Sequence, residues 1–554
     1  MSKINGRTAF LRLLANEGVT HLFGNPGTTE LAIMEALGKQ TEIAYVLGLQ
    51  ESIVVAMADG YARASNRIGA CNVHVAPGLG NAMGSLYNAK FVGSPVIVTA
   101  GQQEQGHGLA EPLLYDPLVP IATPLVKWAV EVSRVDDLPR IVRRAAKVAL
   151  TPPTGPVFIS LPGDVLDGET EVDLGFPTRV DAETRPSDAT VERLAKRLLE
   201  ARNPALVAGH ELQVRDALQE AGELAELLGA PVFQQTVPFS AQFASEHPCF
   251  VGGLSRNQPD VRDTLKPHDA LLFLGGDVLR MSVYHAVDPL PQGVAVLQIA
   301  ERDWELGKNY PTEMALRTNV KETLRALLPV VRRLRSEAQA AAAAKRVAGL
   351  ANRNWTAKRA KLAQDMEKVA GASPIDPRFL MMRIADTLPD NAVVVDEGIS
   401  SSGLLHSFRP TRDAQSHFGL ASGGIGWGIA GALGVSVALP QRPVCAIIGD
   451  GSAMYSIQSL WTAAHYRLPI TYVICNNRSY RILKERMGSL RGAEKFIGMD
   501  FRDPPIDFVG LARSMGMPAR RVSDPADIQG ALRESFARGG PGLIEMMVQD
   551  GFGE

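Results

Sequence analysis

One stretch near the C-terminal end restricts the architecture more than any other part of the chain. Val444 to Ile448 is an apolar run that ends at Gly449-Asp450-Gly451-Ser452. A helical pattern follows through Leu460 and Ala464, and a second apolar run, Ile470 to Cys475, ends at Asn476-Asn477. Strand, turn, helix and strand in that order form a parallel pair with a crossover, the unit of α/β folds. The polar residues fall at the C-terminal ends of the strands, where open α/β sheets bind ligands. Asp450 offers a carboxylate and Asn477 an amide oxygen, hard donors suited to Mg²⁺ or Ca²⁺. The glycines admit a diphosphate close to the backbone, and the following helix N-terminus favours its charge.

The same alternation recurs along the 554 residues, too many for a single core and consistent with about three domains. Residues 1–180 carry the short apolar runs HLFG, AYVLGL, ACNVHV, PVIVTAG and PVFISLP between helical patterns, as expected for a doubly wound parallel sheet. The polar, Pro-containing segment at 174–189 reads as a linker. PALVAG, APVFQQ, ALLFLGG and VAVLQIA define a second α/β unit over 190–335. The Ala-, Lys- and Arg-rich residues 335–368 are expected to form a connecting helix with a solvated charged face. A third α/β unit, 370–554, holds the Gly-Asp-Gly turn.

The formal net charge of −2 gives no sign of a nucleic-acid or acidic-lipid partner, and no apolar run is long enough to span a membrane. Cys71, Cys249, Cys445 and Cys475 show no metal-binding spacing and read as reduced, mostly buried thiols. The N-terminal residues lack the apolar core of a signal peptide, so a cytoplasmic protein is expected.

Three polar residues of the first unit stand at strand ends. Glu51, in LGLQESIVV, opens a helix directly after a strand and is surrounded by apolar residues. Alone it could simply complement the helix dipole. His74, in NVHVAPGLG, precedes a Gly/Pro turn, where an imidazole can exchange a proton near neutral pH or bond the local backbone. Thr28, in FGNPGTTE, exposes a hydroxyl or caps the helix that follows.

The Gly-Asp-Gly and Asn-Asn spacing resembles the diphosphate-binding motif of thiamine diphosphate enzymes. FGNPG, LQES, HVAPGLGNAMG, VTAGQQ, LVKW and SLWTAAHY extend the resemblance to the benzoylformate decarboxylase family over essentially the whole chain. It implies three doubly wound parallel-sheet domains that bind the pyrimidine, nothing, and the diphosphate, in that order. By the resemblance, Asp450 and Asn477 hold Mg²⁺ (or Ca²⁺) through side chains and Ser479 through its carbonyl. Gly398, Ile399 and Ser400, with Gly451, Ser452 and Tyr480, line the diphosphate. Gly423 lies near the pyrimidine, and Ile425 is the apolar wedge beneath the bent cofactor. Glu51 contacts the aminopyrimidine of a cofactor held by another subunit, so the implied assembly is a homotetramer of dimers. Thr28, where the family has Ser, binds the substrate carboxylate or helps release product, and His74 and His285 are the two proton-transfer histidines.

The implied reaction is non-oxidative decarboxylation of a small-molecule 2-oxo acid to an aldehyde and CO₂. An acetolactate-synthase-like carboligase, which joins the same activated carbon to a second carbonyl compound, is the enzymatic alternative. A non-catalytic cofactor-binding sensor or assembly subunit is the alternative of a different class. The histidine pair expected of pyruvate-type decarboxylases is missing, since GQQEQGHGLAEP offers only His107. RILKERM departs most from the aryl pattern: Ile482 and Arg486 stand where benzoylformate decarboxylases shape an aryl pocket. Arg486 facing inward would suit a second acidic group on the substrate. Its expected place is the outer helix surface.

Overall fold

The computed structural model describes residues 3–171 and 173–552. Each α/β unit folds around a six-stranded, fully parallel sheet. In the first, the spatial order is Ala44–Leu47, His21–Gly24, Gly69–Val73, Val96–Gln102, Val157–Pro162 and Ala129–Glu131. In the third it is His417–Gly419, Val393–Glu397, Val444–Gly449, Ile470–Asn476, Gly542–Met547 and Ala519–Val522. Numbered within each unit, both sheets read 2-1-3-4-6-5. The middle sheet, Phe250–Gly253, Val232–Gln234, Pro204–Ala208, Ala270–Leu274, Ala295–Ala300 and Met314–Arg317, reads 3-2-1-4-5-6 instead. Central strands such as Val96–Gln102 and Ile470–Asn476 are buried throughout, as parallel strands covered on both faces must be.

The first and third domains share one hydrophobic core. It runs from Ile53 and Met57 through Trp427, Ile429 and Leu433 to Ile448 and Ile474. Helix Glu51–Ser65 crosses helix Trp427–Ala438 so closely that a side chain on Gly60 would overlap the carbonyl of Gly431, and one on Gly434 that of Met57. The middle domain has a separate core around Leu206, Phe273 and Leu324. It meets the others through backbone-directed arginines. Arg63 donates to the carbonyls of Phe239 (2.9 Å) and Gly419 (3.0 Å), and Arg302 to that of Phe91 (2.9 Å).

Three local expectations change. The charged connector is two helices, Glu337–Gly349 and Trp355–Met366, because Asn354 caps the second with a side-chain bond to the Ala357 amide. The helix after the Gly-Asp-Gly turn is split into Asp450–Ala453 and Ser459–His465. The strands Ala129–Glu131, Phe250–Gly253 and Met314–Arg317 sit at sheet edges with partly exposed residues, and their short patterns were not distinctive. All four cysteines are free and buried. No helix among the described residues is long and apolar enough to cross a membrane.

Candidate active site

In a sheet of order 2-1-3-4-6-5 the winding reverses between strands 1 and 3, leaving a crevice at their C-terminal ends. The first domain places the Thr28 turn and His74 there, after His21–Gly24 and Gly69–Val73. The third domain places Gly398 and Asp450 there, after Val393–Glu397 and Val444–Gly449. The pairing of Val444–Gly449 with Ile470–Asn476 adds Asn477 to the same end.

The third-domain loops are organised around buried oxygen atoms. Asp450 is 3% exposed, and its carboxylate accepts from the amides of Gly451 (2.8 Å) and Asn477 (3.0 Å). No ion pair reaches it among the described residues, and burial pushes its pKa up to about 7 against those backbone bonds. A buried carboxylate without a cation, beside an amide oxygen, is a donor set that fits Mg²⁺ or Ca²⁺. The Asn477 oxygen accepts from the Ser479 amide (2.9 Å) and hydroxyl (3.0 Å), so Ser479 is folded back onto the same loop. The same hydroxyl lies closer still to Asp550, at 2.5 Å, so its single proton is shared between the two oxygens. Asp550 in turn receives Lys484 (2.7 Å) and Arg502 (3.0 Å), which ties the Asn477 loop to the following helix.

Of the remaining predicted contacts, Ile399, Ser400, Gly423, Ile425 and Tyr480 line one cavity of about 1240 Å³ together with middle-domain residues, and Gly398, Gly451 and Ser452 do not. Ile399 has φ 51° and Gly423 φ 82°. The former is costly for a β-branched residue, of order 1–3 kcal/mol, and such strain collects at ligand sites. Tyr480 lies over Gly451, where a Cβ would come within 2.6 Å of the ring. Gly451 and Ser452 are buried in the turn that Tyr480 covers.

The first-domain crevice gathers titratable side chains. His74 Nδ1 lies 2.8 Å from Glu30 and 3.1 Å from the Thr29 hydroxyl. Glu30 is fully buried, and it also accepts from the amides of Gly27 (2.9 Å) and Gly101 (2.8 Å). With Nδ1 committed to Glu30, Nε2 is the nitrogen left to act. Glu51, 8% exposed, opens its helix behind a Gln50 cap and accepts from Asn81 at 3.1 Å. Gly78 draws the two functional groups together, since a Cβ there would come within 2.8 Å of the Glu51 carboxylate and 3.1 Å of His74. Thr28 is exposed, and the cap position of its turn belongs to Gly27. Val75, directly after His74, is a second β-branched residue at positive φ (25°).

Thr28, Glu51 and His74 do not line the large cavity, so the two crevices of one chain open onto different spaces. His285 does not line it either: it sits in an exposed loop, its Nδ1 accepting from the Val287 amide at 3.0 Å. Arg486, expected on the outer surface, lines the cavity, as does Ile482 one turn earlier. The residue of that helix turned into the interior is Lys484, 2% exposed and held by Asp500 and Asp550.

Two residues absent from the sequence reading matter here. Glu30 orients His74; its signal was an acidic residue inside FGNPGTTE, just before an apolar helix. Glu397, 1% exposed, accepts from the amides of Gly426 and Gly428 and so fixes the loop carrying Gly423 and Ile425. Burial raises its pKa to about 7.

Comparisons with known proteins agree with this geometry. The N-terminal binding, central and C-terminal binding domain models of thiamine pyrophosphate enzymes match residues 4–111, 191–327 and 398–546. Benzoylformate decarboxylase of Pseudomonas aeruginosa is 33% identical over 98% of both chains. A putative acetolactate synthase large subunit of Mycobacterium tuberculosis is 29% identical over 98% of this chain and 99% of its own. Among solved structures, a thiamine diphosphate-dependent 4-hydroxybenzoylformate decarboxylase of Rhodococcus jostii RHA1 superposes with TM-score 0.86 at 31% identity, covering 99% of each chain. Benzoylformate decarboxylase of Polynucleobacter necessarius superposes with TM-score 0.88 at 27% identity, again over 99% of each. With three parallel-sheet domains in the family's order and both strand-end crevices furnished, the chain belongs to the thiamine pyrophosphate enzyme family.

Proposed function

We propose that the protein is a decarboxylase of 2-oxo acids, using thiamine diphosphate and Mg²⁺ to release CO₂ and an aldehyde without oxidation. The observation that carries this reading is the first-domain crevice, where a histidine anchored on a buried glutamate stands beside Glu51. A decarboxylase must end its cycle by protonating carbon and releasing product, so it needs positioned proton carriers. Asp450, Asn477 and the Ser479 carbonyl hold the metal, Gly398, Ile399 and Ser400 with Gly451, Ser452 and Tyr480 border the diphosphate, and Gly423 and Ile425 support the ring end. Bound there, thiamine diphosphate supplies a carbon nucleophile and an electron sink.

The protein's residues do the rest. Glu51 holds a proton at the aminopyrimidine nitrogen, and its buried surroundings keep that proton from water. His74 delivers a proton from Nε2 to the keto oxygen, its tautomer set by Glu30. Thr28 donates a hydrogen bond to the substrate carboxylate. His285, in the loop after cavity-lining Ser282, is assigned the proton to carbon. Because the two crevices of one chain open apart, the working site pairs the first domain of one chain with the third of another. A dimer is the smallest active unit, and a homotetramer of two dimers the proposed assembly.

The acetolactate synthase relatives favour a second reading, in which the activated carbon joins another carbonyl compound. Product analysis by mass spectrometry, with cofactor, Mg²⁺ and a panel of 2-oxo acids including benzoylformate, separates the two. Aldehyde and CO₂ in equal amounts are expected. Acyloin or a 2-hydroxy-2-acyl acid as the main product would replace the decarboxylase by the ligase. Stoichiometric cofactor binding without turnover of any acid would leave a sensor.

A further inference from the structure

Charge inside the large cavity is unevenly balanced. Of its four arginines, Arg280 is paired with Asp277 (3.1 Å) and Glu305 (2.7 Å), and Arg302 lies 3.7 Å from Glu305 while donating to the Phe91 carbonyl. Arg256 and Arg486 make no ion pair among the described residues, although both line the cavity. Glu485, the acidic neighbour that could neutralise Arg486, is taken by Arg481 at 2.8 Å. Burial and the Arg486 charge both disfavour a charged Arg256, and only the more weakly acting Asp396 favours it. Asp396 is itself committed to the Gly398 amide at 2.9 Å.

Carboxylates line the cavity too, Asp396 and Glu485 among them, but among the described residues none forms an ion pair with Arg256 or Arg486, and two guanidinium groups that repel each other leave a place for an anion. Their position says which anion. Arg486 is one helical turn beyond Ile482, on the same face, and both border the cavity that holds Ile425 and Tyr480. Ile482 and Arg486 of this helix and Arg256 of the middle domain thus line the same cavity as the predicted cofactor contacts. Guanidinium forks match carboxylates in bidentate geometry.

We propose that Arg256 and Arg486 form a subsite for a second carboxylate, at the end of the substrate remote from its 2-oxo acid group. The preferred substrate is then a dicarboxylic 2-oxo acid rather than a purely apolar aryl one. For turnover the proposal rests on the decarboxylase reading; for binding it does not.

Two measurements keep these apart. With the holoenzyme, kcat/KM is compared for 2-oxo dicarboxylates and for monocarboxylates of the same chain length, and for benzoylformate with and without a para-carboxyl group. The dicarboxylic member of each pair should be favoured roughly 10- to 100-fold, the range for hydrogen bonds to charged groups. Arg486→Met and Arg256→Met should each collapse that ratio. Equal ratios in wild type, or ratios untouched by both substitutions, would overturn the subsite while leaving decarboxylation in place. If no 2-oxo acid is turned over, calorimetric titration with an unreactive saturated dicarboxylate still decides. Binding tighter than that of the matching monocarboxylate, and weakened in Arg486→Met, supports the subsite; indifference to the second carboxylate ends it.

Discussion

The first and third domains wind their sheets in the same order and place their functional loops at the same reversal, yet furnish that place in opposite ways. In the first, the acidic groups have side-chain partners: Glu30 lies against the titratable His74, and Glu51 accepts from the Asn81 amide. In the third, Asp450 and Asn477 receive only hydrogen bonds from their own loops, and no cationic side chain approaches Asp450 among the described residues. Topology sets where a ligand can sit; the side chains there differ, titratable pairs in one crevice and a lone buried carboxylate with an amide oxygen in the other.

Removing the proton function should hurt most. Glu51→Gln keeps an oxygen able to accept from Asn81 but removes the acid, and a kcat loss of about 10²- to 10⁴-fold is expected in steady-state assays. A variant with near-normal kcat would break the division of labour at its strongest point. Asp450→Asn should act through retention instead, raising the cofactor and Mg²⁺ needed for half-maximal activity by about 100-fold, as judged from metal-ligand perturbations. If kcat fell at saturating cofactor while the half-saturating concentration stayed put, the third-domain crevice would be doing more than holding.

The seam between these domains is testable by stability alone. Gly434→Val forces a side chain into the Met57 carbonyl, and overpacking of this kind costs about 1–3 kcal/mol. Thermal unfolding should shift down accordingly, and an unchanged transition would mean that the helices separate easily. The smallest effect concerns acid. His406 and His417, rings 4.3 Å apart in the third domain, are both held neutral by burial, His406 with its pKa lowered to about 4. The unfolded chain, with an ordinary imidazole near 6.5, takes up protons first, so the stability present above that pH is lost as pH falls from about 6.5 toward 4. Melting temperatures across that window should decline less steeply in His406→Phe.

Much of the site was legible because its signals are local. The Gly-Asp-Gly turn and the Asn-Asn pair each end an apolar strand, and Glu51 and His74 follow strands of their own. Glu397 was not legible, since its meaning lies in two amides that return to it only after a loop and another strand. Arg486 was misplaced because RILKERM hides its buried face: the interior position belongs to Lys484, whose charge is met by acids well along the chain, while Leu483 is 46% exposed. Edge strands such as Ala129–Glu131 escaped for a different reason: their half-solvated residues need no unbroken apolar run.

The glycine crossing between helix Glu51–Ser65 and helix Trp427–Ala438 also governs how lesions combine. It fixes each chain's Glu51–His74 crevice relative to its own Asp450–Asn477 crevice, so under the proposed dimeric site a chain would not repair itself by closing one upon the other. In a mixed dimer of Glu51→Gln and Asp450→Asn chains, one active site collects both defects and the other receives none. Assayed at cofactor and Mg²⁺ levels too low to saturate Asp450→Asn, the two preparations unfolded and refolded together should therefore regain activity that neither shows alone.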